Sequence, residues 1–155
     1  MNSSYNLNGS IMSKELILLI EILKKNTRDK MWLNKNTDFK DINWEYFLQL
    51  TMHHRVYPVV YMNLKDIDNI YIPSFVIEKL GQAYKQNVFQ MLKLSGEMEN
   101  ISNLFTKNDI PLIFLKGPII AMELYGDISL RVSRDLDILV PINDVEKIDK
   151  LLIHC

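Results

Sequence analysis

Apolar residues recur along the first two thirds of the chain at helical spacing, and the pattern switches to short strand-like runs near residue 108. Leu16, Leu19, Ile20 and Leu23 fall on one face at that spacing, and Ser13 stands where an N-cap belongs, which predicts a helix over 14–25. Asn43 can cap a second helix over 44–54, with Trp44, Phe47, Leu48, Thr51 and Met52 as its inner stripe. Pro58 suits the first turn of a short third helix, 58–64. Pro73 and Ser74 open a long helical stretch to about 107. Its inward positions read as Phe75, Ile77, Leu80, Tyr84, Val88, Met91, Leu92, Met98, Ile101, Leu104 and Phe105, and Ser95-Gly96 is a candidate kink or split into two helices. Residues 1–12, rich in Asn and Ser, read as a disordered start.

Beyond 107 the rhythm differs. Residues 110–115 form an apolar run with turn residues on both sides, which reads as a buried strand. Lys116, Gly117 and Pro118 make a loop, and Pro118 pre-sets the first turn of a helix reaching Tyr125, which Gly126-Asp127 ends. Residues 135–140 read as a second strand stopped by Pro141. Asn143 with Glu146 forms a capping box for a last helix over 144–153. The expected organisation is a disordered start (1–12), a helical region (13–107) and a partial core of mixed α and β character (108–155). Two strands make no independently stable sheet, so either helices cover them or further strands belong to the fold.

Composition narrows the classes. Hydrophobic residues are 48% and charged residues 24% of 155, which argues for a packed globular chain. A net charge of −1 leaves no global footprint for a polynucleotide, so nucleic acid is an unlikely partner. The apolar stretch 16–20 is too short to span a bilayer, Glu21 interrupts it, and no basic lead or small-residue cleavage site flanks it. The lone Cys155 cannot form a disulfide within one chain. A cytoplasmic protein without a membrane partner is the expectation.

The candidate chemistry lies between 115 and 140. Residues two apart share a strand face, so Asp135 and Asp137 project together while Leu136, Ile138 and Val140 face a core. Adjacent carboxylates repel unless a cation separates them, and oxygen ligands of this kind suit Mg²⁺ or Mn²⁺. A solvated Asp-x-Asp turn is the plainer alternative. Upstream, backbone N–H groups around Gly117 at a helix start can hold a phosphate, and Lys116 adds a point charge; an ordinary strand-to-helix turn is the alternative. Arg131 or Arg134 could clamp a phosphate, or simply pair with Glu123, Asp127 or Asp135. Ser133 is a further polar candidate or a turn residue. His53 and His54 are adjacent and point to different sides of a helix, so they suit a surface role better than a shared metal; His154 is uninformative. Trp32 and Trp44 read as core.

The run from Leu115-Lys116-Gly117-Pro118 through Leu124-Tyr125 and Arg131 to Asp135-Leu136-Asp137-Ile138-Leu139-Val140 resembles the uncharacterised bacterial nucleotidyltransferase family of the DNA-polymerase-β superfamily. The segment from His54 to Pro58 with Leu64 is similar to that family's upstream helical part. The resemblance implies an α+β or α/β fold in which a helical front precedes the start of a polymerase-β-type mixed sheet. It implies Mg²⁺-dependent transfer of a nucleoside monophosphate from an NTP to a small-molecule or protein acceptor. Asp135 and Asp137 would be the catalytic, metal-holding carboxylates, and Lys116, Gly117, Pro118, Arg131 and Ser133 the phosphate side. The chain departs from the superfamily in two places. No Ser follows Gly117, and no third carboxylate stands on a later strand, since Asp144, Glu146 and Asp149 fall in the last predicted helix. The expectation is therefore a truncated active site, inactive or weakly active, with an open sheet that favours self-association. The competing readings are a non-catalytic remnant that binds nucleotides or partners, a glycosyltransferase using Asp-x-Asp, and an AMP-transferring antitoxin.

Overall fold

In the computed structural model the described residues are 6–7, 10–24, 41–67 and 72–153. The chain divides into two compact units, Met1–Lys85 and Gln86–Cys155. The first holds a short antiparallel ladder, β1 (Asn6–Leu7) with β2 (Ser10–Ile11). This pairing lies inside the segment expected to be disordered. An Asn-Gly dipeptide separates the two strands in sequence.

Helices α1 (Lys14–Lys24), α2 (Trp44–His53) and α3 (Tyr57–Leu64) follow the sequence pattern closely. Ser13 Oγ accepts from Leu16 N–H at 3.2 Å, and Asn43 Oδ1 accepts from Tyr46 N–H at 3.0 Å, so both expected caps form. The buried stripe of α1 is rotated from the expected one. Leu18, Leu19 and Ile22 are buried together with Glu15, while Leu16, Ile20 and Leu23 are half-buried. The cause is a polar anchor: Glu15 Oε1 accepts from the Asn43 backbone N–H at 2.9 Å. Burial resists ionisation of Glu15, but the Asn43 N–H, its own N–H, the Ser13 hydroxyl and Lys14 outweigh it and hold the carboxyl below its usual value. Asn63 Nδ2 donates to the Ile22 carbonyl at 2.9 Å and ties α3 to the end of α1. The core of this unit is Leu18, Leu19, Ile22, Phe47, Leu48, Val60, Leu64, Ile72, Val76 and Leu80. Trp44 packs on its edge, its ring 5.6 Å from Phe47 in a T-shaped arrangement. His53 and His54 are exposed and meet edge to face, centroids 5.0 Å apart.

The long helix α4 (Ser74–Lys107) runs unbroken through Ser95-Gly96. Ser95 Oγ donates to the Met91 carbonyl, one turn back, so the serine is absorbed by the helix rather than splitting it. Its stripe also differs from expectation. Val76, Leu80, Asn87, Met91, Leu94 and Phe105 are buried, whereas Phe75 and Leu92 are exposed. The boundary between units falls within α4, and its second half packs in the second unit; the boundary expected at 107 lies inside that unit.

In the second unit Ile110 N–H bonds back to the Phe105 carbonyl at 2.9 Å and closes α4, with Asp109 at φ 54 in the turn. Strand β3 (Ile113–Phe114), helix α5 (Pro118–Tyr125), a 3-10 turn (Ile128–Leu130), strand β4 (Ile138–Leu139), a second 3-10 turn (Ile142–Asp144) and helix α6 (Val145–Leu152) follow. β3 and β4 pair antiparallel, Ile113 with Leu139 and Phe114 with Ile138, and the Leu115 N–H bond to the Asp137 carbonyl continues the ladder. Both strands are shorter than the expected 110–115 and 135–140. The Ile110 N–H is already spent, Pro111 has none, and the Asp135 carbonyl accepts the Ser133 hydroxyl at 3.2 Å. Nor is β3 buried on both sides, since Ile113 and Leu139 share an exposed face. The described residues thus form a mostly helical α+β structure whose strands pair only antiparallel.

The inner face carries two small clusters. Met91, Leu94 and Ala121 pack with Ile128 and Leu136; Phe105, Ile110 and Ile148 pack with Leu112, Ile138 and Val140. The expected inward direction of Leu136, Ile138 and Val140 is therefore observed. The expected capping box does not form, because the N-cap of α6 is Asp144 and makes no side-chain bond. The preceding 3-10 turn supplies the bonds instead: Asp144 N–H reaches the Pro141 carbonyl, and Val145 N–H the Ile142 carbonyl. No helix among the described residues is long and apolar enough to cross a membrane.

Candidate phosphate and metal site

The site is assembled where β3 hands over to α5 and where the chain approaches β4. Gly117 adopts φ 92 and ψ −146, a conformation open essentially to glycine alone. A Cβ there would stand 2.9 Å from Leu136 Cδ2 and 3.9 Å from the Asp135 carbonyl. The glycine thus brings the loop against the backbone that carries the two aspartates. Pro118 follows in the first turn of α5 and is buried. No side chain caps α5, so the N–H groups of its first turn carry the positive end of the helix without a competing ligand.

Lys116 Nζ lies 2.6 Å from Asp137 Oδ2, with both side chains substantially exposed. The Asp137 carboxylate, through this hydrogen bond and its charge, holds the Lys116 ammonium above the usual lysine value; desolvation opposes, Asp135 adds to the effect and Arg131 opposes it. Lys116, Asp135, Asp137 and Arg131 therefore share one electrostatic neighbourhood. Asp135 is exposed in the bend two residues before the ladder.

The segment between α5 and β4 is held by groups that spacing alone did not single out. Asp127 Oδ1 accepts from Ser129 N–H at 2.8 Å. Asn87, buried on α4, donates through Nδ2 to the Ser129 carbonyl at 2.7 Å and the Arg131 carbonyl at 3.1 Å. The signal for Asn87 was available: it occupies a core position between Leu80 and Met91 in the α4 stripe, and a polar residue there needs a partner. Ser133 is buried, and its hydroxyl is directed to the Asp135 carbonyl. Arg131 is half-buried, and its buried Nη1 has no hydrogen-bond partner among the described residues. An orphaned guanidinium nitrogen costs free energy unless an acceptor reaches it. Arg134 is exposed.

This stretch lies within a longer match. The model of the uncharacterised nucleotidyltransferase family matches residues 40–154. The chain belongs to that family. No curated protein and no solved structure matches it. The family's span takes in α2, α3, α4 and the whole of the strand, loop and acidic segment. Within this nucleotidyltransferase, Lys116, Gly117, Asp135, Asp137 and Arg131 gather at one place, while His53 and His54 lie in the other compact unit. Trp32, His154 and Cys155 lie outside the described residues.

Proposed function

We propose that this nucleotidyltransferase binds a nucleoside triphosphate with Mg²⁺ or Mn²⁺ at the Lys116–Pro118 loop and the Asp135–Asp137 segment, and that its chemistry is nucleotidyl transfer to a small-molecule or protein acceptor. The observation that carries this reading is the Lys116–Asp137 contact beside a glycine whose conformation no other residue adopts cheaply.

The carboxylates suit the metal. Mg²⁺ keeps several waters and is commonly held by one or two carboxylates plus substrate phosphates. Asp137 already accepts a cation, the Lys116 ammonium, which supports its fitness for one. When bound, the metal would offset triphosphate charge and align the reacting oxygens. The chain's own residues do the rest. Asp135 and Asp137 hold the cation, and the first-turn N–H groups of α5 receive a phosphate that Gly117 lets approach. Arg131 adds positive charge to the same neighbourhood, and Ser133 fixes the Asp135 backbone. In the transfer the acceptor forms a bond to the α-phosphorus, the α–β bridging bond breaks, and pyrophosphate leaves. A polymerase-β-type sheet would supply a further carboxylate, and a cytoplasmic setting accords with such a substrate.

A second reading, a nucleotide-binding module without turnover, draws on one observation. Among the described residues no group of three or more His, Cys, Asp or Glu is placed to hold a metal, so these two carboxylates lack a third partner. Acceptor deprotonation by a general base is worth roughly 10²–10⁴ in rate. Weak Mg²⁺-dependent nucleotide binding is therefore expected, with slow transfer by the 155-residue chain. Calorimetry with ATP, CTP, GTP and UTP, with and without Mg²⁺, tests binding. Label transfer from an α-phosphate-labelled NTP to extract tests chemistry. Metal-independent binding that is unchanged in Asp137→Asn would overturn the proposal, and strong label transfer lost in Asp135→Ala would overturn the second reading.

A further inference from the structure

The Lys116–Asp137 contact has a consequence for the order of binding. Nζ at 2.6 Å from Oδ2 sits where a cation held by Asp137 would have to approach. The ammonium and a divalent ion cannot both occupy that side of one carboxylate oxygen without strong repulsion. Lys116 is the residue before Gly117, so once released from Asp137 it lies beside the phosphate loop. Its side chain is 59% exposed, which leaves it free to turn.

We infer that Lys116 is an exchangeable counter-ion: it neutralises Asp137 while the site is without metal, leaves when the divalent cation enters, and then serves the triphosphate. This rests on the metal and phosphate reading above. It makes metal and nucleotide binding mutually supportive, because the metal frees the lysine that the phosphates use and the phosphates draw the lysine off the carboxylate. Metal alone binds weakly against the resident ammonium, and nucleotide alone finds Lys116 engaged. No new covalent step is involved.

The test is Mn²⁺ binding to the full chain, read from the loss of the free-ion paramagnetic resonance signal, followed by titration with ATP in excess Mn²⁺. Wild type is compared with Lys116→Gln, Lys116→Arg and Asp137→Asn. Removing one partly screened unit charge should tighten Mn²⁺ binding about 3- to 10-fold in Lys116→Gln. The same variant should weaken ATP binding in the presence of Mn²⁺. Lys116→Arg, which keeps the charge, should resemble wild type in Mn²⁺ affinity. Equal Mn²⁺ affinity in wild type and Lys116→Gln, with binding lost in Asp137→Asn, would overturn the exchange while sparing the metal site. Mn²⁺ retained by none of the proteins would overturn both. Lys116 is exposed, so its variants keep the fold, and an unchanged unfolding midpoint checks this.

Discussion

The two compact units differ in how they treat apolar surface. The first gathers ten buried hydrophobic residues into one cluster, and among its described residues only Tyr46 and Phe75 are large hydrophobics left exposed. The second divides its buried hydrophobics between two clusters of three and leaves thirteen large hydrophobics exposed, among them Ile113, Leu139, Ile142 and Ile153. Yet the second unit carries the glycine at φ 92, the orphaned arginine nitrogen and the close Lys–Asp contact. The larger core and the candidate site thus lie in different units of this chain. That is the expected division where binding groups sit on loops that must open to a ligand.

The contrast is most exposed to test in the first core. Phe47 is fully buried, and Phe47→Ala should cost about 3–5 kcal/mol in chemical denaturation. The matching change on the open face, Ile113→Ala, should cost under about 0.5 kcal/mol. Comparable losses from the two would show that the difference in packing has no energetic counterpart. Gly117→Ala is next. It combines a disallowed φ with a 2.9 Å approach to Leu136 Cδ2, so about 1–3 kcal/mol is expected. Leu136→Ala in the same chain should relieve the close contact but not the backbone strain, so rescue should be partial. Full tolerance of alanine at 117 would mean that the loop is not held as described.

Much of this was legible beforehand because it is local. Ser13 and Asn43 announced their helices, Pro58 and Pro118 theirs, and Gly126 the end of α5, where it takes φ 68. What pattern could not reach was long-range pairing of polar groups. Glu15 has no place in the apolar stripe of α1 and is buried because its carboxylate accepts from the Asn43 N–H, distant in sequence. Asn87 bonds carbonyls more than forty residues away. The strand ends were misplaced for a different, local reason: turns take up the Ile110 N–H and engage the Asp135 carbonyl. The candidate site residues were named from their motif, but that Lys116 contacts Asp137 required coordinates.

Asn87→Ala would sharpen the comparison further, since it leaves the Ser129 and Arg131 carbonyls without their side-chain donor. A loss of about 1–3 kcal/mol is expected, with weakened ATP binding as the accompanying readout. A stability loss with unaltered ATP affinity would confine Asn87 to packing. The smallest effect concerns acid. Glu15 ionises more readily in the folded chain than in the unfolded one, so its contribution is present above the ordinary carboxylate range and is lost as pH falls through its lowered folded value. Glu15→Gln should flatten that acid limb of the stability curve by about 1 kcal/mol. An unchanged slope would show that the Asn43 contact carries no charge-dependent energy.

The claim that the metal and nucleotide site lies in the loosely packed unit is tested most directly by paramagnetic broadening. Substoichiometric Mn²⁺ with ATP is added to the ¹⁵N-labelled chain, and amide signals are followed residue by residue. The account predicts the strongest broadening at Lys116, Gly117, Ile119, Asp135 and Asp137, and none of this selectivity in Asp137→Asn. Strongest broadening at His53 and His54, or uniform broadening along the chain, would contradict it.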